Sequence, residues 1–120
     1  MIEKFHDEVY GVTLTVFIGS ANKYKAYVKR MEKRDYKNEL YDAKFDFFED
    51  TKAYIWMPEF DWTINDQATL MHELYHFVFH VMDSKSVKLC ADSDEVFAYY
   101  FEFWVKILYR ALLKYRDKKI

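Results

Sequence analysis

Glycine occurs only twice in the 120 residues, and proline and cysteine once each. So little glycine and proline leaves no flexible linker, and no repeat or low-complexity tract marks out a second domain. The lone cysteine, Cys90, cannot close an intrachain disulfide, so nothing requires an oxidising compartment. An excess of one charge is missing too. Eighteen Lys and Arg stand against twenty Asp and Glu, a net charge of -2, which gives no field to gather nucleic acid or an anionic membrane. Long hydrophobic runs are also lacking. Val9 to Ile18 is broken by Gly11, Thr13 and Thr15, and it is about half the length of a membrane span. The first residues (Glu3, Lys4, His6, Asp7, Glu8) are too charged for a signal peptide. The expectation is a soluble cytoplasmic protein with no nucleic-acid or membrane partner.

What the chain has in quantity is apolar and aromatic surface, 52% and 21% of residues, far from a disordered composition. At this length, residues 1–120 form one domain that buries roughly two-thirds of the unfolded chain's surface.

Val12, Leu14, Val16 and Ile18 alternate with Thr13, Thr15 and Phe17 and read as a strand. Tyr24, Tyr27, Val28 and Met31 then recur at helical spacing, predicting a helix over about 21–33 with Ser20 as its cap. A second alternating run places Ala43, Phe45 and Phe47 on one face and Asp42, Lys44 and Asp46 on the other. After a turn at Glu49-Asp50-Thr51, residues 53–57 read as a third strand, ended by Pro58. Two helices follow, one over about 65–83 with Thr63 as N-cap and Asp66 three residues on, and one from about 94 to 117. The fold class is α+β, a small sheet of about three strands in the order β-α-β-β-α-α.

The chemistry concentrates in His72-Glu73-Leu74-Tyr75-His76. Residues at i and i+4 lie one turn apart on one helix face, so His72 and His76 can offer two imidazole nitrogens to one zinc ion. Glu73 would not ligate. It would take a proton from the water that zinc activates for attack on an amide carbonyl. On a helical wheel Asp66, Thr69, His72, Glu73, His76, His80 and Asp83 fall within an arc of roughly 120°. Leu70, Met71, Leu74, Tyr75, Phe77, Val78, Phe79, Val81 and Met82 fill the rest, predicting a helix buried over two-thirds of its circumference. Three of the four histidines sit on the polar stripe. The competing reading is a solvated helix face with incidental histidines. A helix so apolar elsewhere seldom turns its polar edge to bulk water, which favours the metal.

A catalytic zinc site wants a third protein ligand. The extended pattern HExxHxxGxxH fails, because Phe79 and Met82 stand where Gly and the third His belong. Instead, Thr69 to Phe79 followed by Asp94-Glu95 and Ala98-Tyr99 resembles the minimal gluzincin-like zinc metallopeptidases of phages and bacteria. In these an HExxH helix is followed after about twenty residues by a helix opening with Asp-Glu. The resemblance covers under a third of the chain, from Ala68 to Phe103. It implies zinc-dependent hydrolysis of a peptide or protein substrate, Glu95 as third ligand, and a sheet whose edge strand holds extended substrate beside the active-site helix. His80, Asp94 and Glu102 remain alternatives to Glu95, with His80 better placed to line the cleft. Glu95 has another possible role, as the capping-box partner of an Asp92 N-cap.

No other reactive centre competes: there is no Gly-rich phosphate loop, no CxxC and no Gly-flanked serine. The aromatic residues read mainly as core, with Tyr54, Trp56 and Trp62 as possible groove lining. Lys114, Arg116, Lys118 and Lys119 suit a helix C-terminus. The alternative function is a non-catalytic interaction protein that keeps the zincin frame to act on a host or partner protein. Such a protein would need the two histidines but not Glu73.

Overall fold

The computed structural model describes residues 1–49 and 51–118. Asp50, placed in the turn before the third predicted strand, and Lys119, grouped with the terminal cations, lie outside the described residues. The fold is α+β. Its elements run β1 (Ile2–Asp7), β2 (Val12–Ile18), α1 (Ala21–Glu32), β3 (Lys44–Phe48), β4 (Lys52–Met57), α2 (Ile64–Ser84) and α3 (Asp94–Lys118). Two compact units are distinguished, Met1–Glu73 and Leu74–Ile120, and the boundary falls within α2.

The first unit holds a mixed four-stranded sheet in the order β1-β2-β4-β3, one strand more than the sequence predicted. β1 is the addition, at the N-terminal edge. Its Ile2, Glu3, Lys4 and His6 are all exposed, so no inward-facing apolar alternation announces it. It pairs antiparallel with β2 in register Phe5↔Leu14. Gly11 closes their turn at φ 68°, a left-handed conformation suited to glycine. The Asp7 carboxylate accepts the Val9 N–H there at 2.9 Å.

β2 and β4 pair in parallel, Thr15↔Tyr54, and β3 lies antiparallel to β4, Asp46↔Tyr54. The central strands are buried on both faces: Leu14, Val16, Ala53 and Ile55 on one, Phe17, Tyr54 and Trp56 on the other. Against the second face α1 lays Tyr24, Tyr27 and Val28. Ser20 caps this helix as predicted, accepting the Lys23 N–H at 3.3 Å. Lys33 ends it in the left-handed conformation.

The alternation predicted for this strand holds, with Phe45 and Phe47 stacked on one face at 6.1 Å and Asp46 on the other, but polarity does not tell which side chains are buried. The apolar side chains are not uniformly inside: Phe47 is 48% exposed, while Asp46 is only 5% exposed. Asp46 accepts hydrogen bonds from Tyr24 (2.8 Å) and Tyr36 (2.5 Å) on one oxygen, and from the Asn38 amide (3.0 Å) on the other. Three donors make a buried carboxylate tolerable. They also tie together α1, the connection after it, and β3.

In the second unit, the C-terminal part of α2 and α3 form a helical hairpin. Phe77 meets Trp104 edge-on at 5.1 Å and Tyr100 at 6.5 Å. The turn after α2 is closed by the Val87 N–H bonding the Met82 carbonyl at 2.8 Å, with Ser86 at φ 61°. Among the described residues no helix is long and apolar enough to cross a membrane.

Candidate functional site

α2 starts where its capping sequence predicts. The Thr63 hydroxyl accepts the Asp66 N–H at 3.0 Å, and the Thr63 carbonyl accepts the Gln67 N–H. The Asp66 carboxylate reaches back to the Asp61 N–H at 2.7 Å. This fixes the helix register, and with it the direction in which each motif side chain leaves the axis.

That direction differs from the polar-stripe expectation. Leu70, Glu73, Leu74, Phe77, Val78, Val81 and Met82 are buried, whereas Tyr75 (47%) and Phe79 (43%) are exposed. His72 and His76 are exposed too, and His80 is half-buried. At about 100° per residue, the exposed arc is displaced by roughly 70° from the polar arc. Two stacked aromatics, Tyr75 and Phe79 (6.2 Å), therefore share the outer face with the histidines, and the helix is buried over about half its circumference. Glu73 moves the other way. It sits on the margin of the buried face, only 8% exposed, and its carboxylate has no hydrogen bond or ion pair with another described residue.

What exposure Glu73 keeps opens into a cleft of about 400 Å³, lined by Tyr41, Asp42, Ala43, Ala68, Thr69, His72 and Glu73. One wall is α2. The other is the segment that runs into β3, the sheet's free edge. Tyr36 and Asn38, bonded to buried Asp46, anchor this segment on one side and β3 anchors it on the other. Tyr41 donates its hydroxyl to Glu39, which holds the phenol above its ordinary pKa. The alternating pattern places Asp42 and Ala43 inside the strand, whereas β3 begins only at Lys44 and these residues stand before it as the cleft wall. The aromatic groove candidates lie elsewhere. Tyr54 and Trp56 are core residues under α1, the indole donating to the Gly19 carbonyl at 2.8 Å, and Trp62 meets Phe60 edge-on.

As for the metal donors, His72 and His76 project from successive turns of one helix, the spacing zinc can bridge. Glu95 is exposed in the first turn of α3. That helix begins at Asp94, with the Ser93 carbonyl accepting the Phe97 N–H at 3.2 Å. The cap position is therefore Ser93 and not Asp92, and Glu95 is not three residues beyond it, so the capping-box role falls away. Asp94 lines a separate, largely apolar pocket with Tyr75, Leu89, Phe97 and Phe101. Glu102 is engaged by Lys106 at 3.2 Å. Cys90 is an exposed free thiol. Its contacts with Ser93, and then the backbone of Asp92 and Ser93, lower its pKa. Among the described residues no three His, Cys, Asp or Glu side chains gather into a group able to hold a metal ion. The donors on α2 thus fit two zinc positions through the histidine pair. Compared with known protein families, curated proteins and solved structures, the chain matches none.

Proposed function

We propose that the protein hydrolyses peptide bonds as a small zinc-dependent peptidase of the HExxH type, in the cleft beside Glu73. The observation that carries this reading is Glu73 itself: a carboxylate 8% exposed and without a partner among the described residues, facing a cleft next to His72. A buried carboxylate with nothing to bond is costly for folding alone, whereas a general base needs that access to a proton. His72 and His76 would hold the zinc with Glu95 as third ligand, and the ion would supply Lewis acidity toward a carbonyl and an acidified water.

The chain's own part follows from the cleft. An extended peptide laid along the free edge of β3 can bond its backbone to that strand and pass between the Tyr41–Ala43 wall and α2. Glu73 accepts a proton from the attacking water as the water oxygen adds to the scissile carbonyl carbon. The same carboxyl group then returns the proton to the amide nitrogen. The C–N bond breaks, leaving a carboxylic acid and an amine. A non-catalytic interaction protein would have no use for an unpaired carboxylate in this position.

The test is a proteome-wide profile of newly formed N-termini, comparing wild type with Glu73→Ala and Glu73→Gln. Wild type should generate sites absent from both variants, and Glu73→Gln should keep the metal content. Equal profiles from all three proteins would overturn the assignment.

A further inference from the structure

Apart from the metal that His72 would hold, the charge on the cleft is one-sided. Its lining includes two carboxylates, Asp42 and Glu73, and no lysine or arginine. Glu73 is committed to proton transfer in the reading above. Asp42 is not: it is exposed, on the opposite wall, and has no hydrogen bond or ion pair with another described residue. Beside it the ring of Tyr41 is also exposed, and its hydroxyl carries a second carboxylate, Glu39, on the same stretch of chain.

We propose that the cleft selects peptides with a lysine or arginine next to the scissile bond, and that Asp42 is the specificity-determining residue that takes the basic side chain. The proposal rests on this cleft being the substrate site. A cation entering there meets the Asp42 carboxylate and can lie over the Tyr41 ring, and the two attractions add. The wall does not have to be ordered by the substrate, because Asp46 already holds Tyr36 and Asn38. Less conformational freedom is therefore lost on binding. The pair is open to solvent, so the preference is modest, about two- to fivefold over a neutral side chain at low salt, and it fades as salt is raised.

The experiment measures binding separately from turnover. Glu73→Gln protein is titrated with three fluorescent peptides that differ at one position, carrying Lys, Gln or Glu, and anisotropy reads the affinities. The expected order is Lys, then Gln, then Glu. Asp42→Asn in the same background should level the three, and Asp42→Lys should invert the order. The proposal is overturned if Lys and Gln peptides bind alike, if the preference survives Asp42→Asn, or if no peptide binds. Turnover by the parent protein then separates the two levels. Glu73-dependent cleavage indifferent to charge keeps the peptidase and sinks the Asp42 role. A charge preference in binding without any cleavage keeps the selective wall and sinks the peptidase.

Discussion

Replacing Asp46 with alanine removes one side chain and strands three donors. The Tyr24 hydroxyl is the costly one, because its residue has no exposure at all. A buried hydroxyl left without a partner costs about 1–3 kcal/mol. Tyr36 is half-buried and Asn38 exposed, so both can turn to water, and each lost bond then costs about 1 kcal/mol or less. Against this stands the desolvation of a carboxylate that no longer has to be buried. The balance is a destabilisation of about 3 kcal/mol, equivalent to about 10–15 °C in Tm for a chain of this size. Urea unfolding of Asp46→Ala, Tyr36→Phe and the double variant measures it. Tyr36→Phe alone should cost about 1 kcal/mol. The double variant should cost little more than Asp46→Ala, because both changes break the same bond. A loss below about 1 kcal/mol for Asp46→Ala, or strict additivity in the double variant, would refute the view that this carboxylate binds α1, the connection and β3 into one unit.

Stability should fall in alkali. Tyr24 and Tyr36 have phenol pKa values raised above 10.0, mainly by burial with Asp46 adding, and Tyr54 is raised by burial and Glu32. The stability these phenols contribute is fully present below pH 10 and is lost above it, as the unfolded chain gives up protons that the fold retains. Tyr24 alone contributes a slope of about 1.4 kcal/mol per pH unit. Urea midpoints between pH 8 and 11 check this, and Tyr24→Phe should flatten the fall. Glu95→Ala should weaken zinc binding in a chelator competition far more than Glu102→Ala or His80→Ala, with little change in Tm because Glu95 is exposed and does not stand at the capping-box position of α3. Equal zinc affinities for Glu95→Ala and the wild type would remove Glu95 from the ligand set. Cys90 should react with iodoacetamide faster than a free thiol at neutral pH, and Cys90→Ser should leave the zinc content unchanged. Loss of metal in that variant would make the thiolate a ligand.

Where local chemistry decides, the sequence was enough. Ser20 and Thr63 begin their helices because a hydroxyl can cap its own turn. The HExxH spacing fixes two side chains by helix geometry alone. Distant partners decide the rest. Asp46 turns inward on β3 because Tyr24, twenty-two residues away, offers it a proton, and no window around Asp46 contains that information. β1 carries no apolar alternation because it is an exposed edge. The α2 wheel separates residues by polarity, but burial is set by what covers the helix, so Tyr75 and Phe79 emerge beside the histidines while Glu73 sinks. The cleft wall at Tyr41–Ala43 is legible only after β3 has been placed.

The parallel seam between β2 and β4 sets how the sheet can assemble in time. β1 with β2, and β3 with β4, are antiparallel neighbours close in sequence. Each can zip within microseconds once its turn forms. The seam pairs Thr13 with Lys52, so its first contact must close a loop of about forty residues, at an entropic cost of roughly 3 kcal/mol beyond the constant term. Until that happens neither half can bury both faces. α1 lies inside that loop, and its Tyr24 and Tyr27 are what make closure favourable. The slow step of folding should therefore be the meeting of two preformed hairpins over α1. Truncating Val16 or Ile55 should slow folding, and loosening the β1–β2 turn should chiefly speed unfolding.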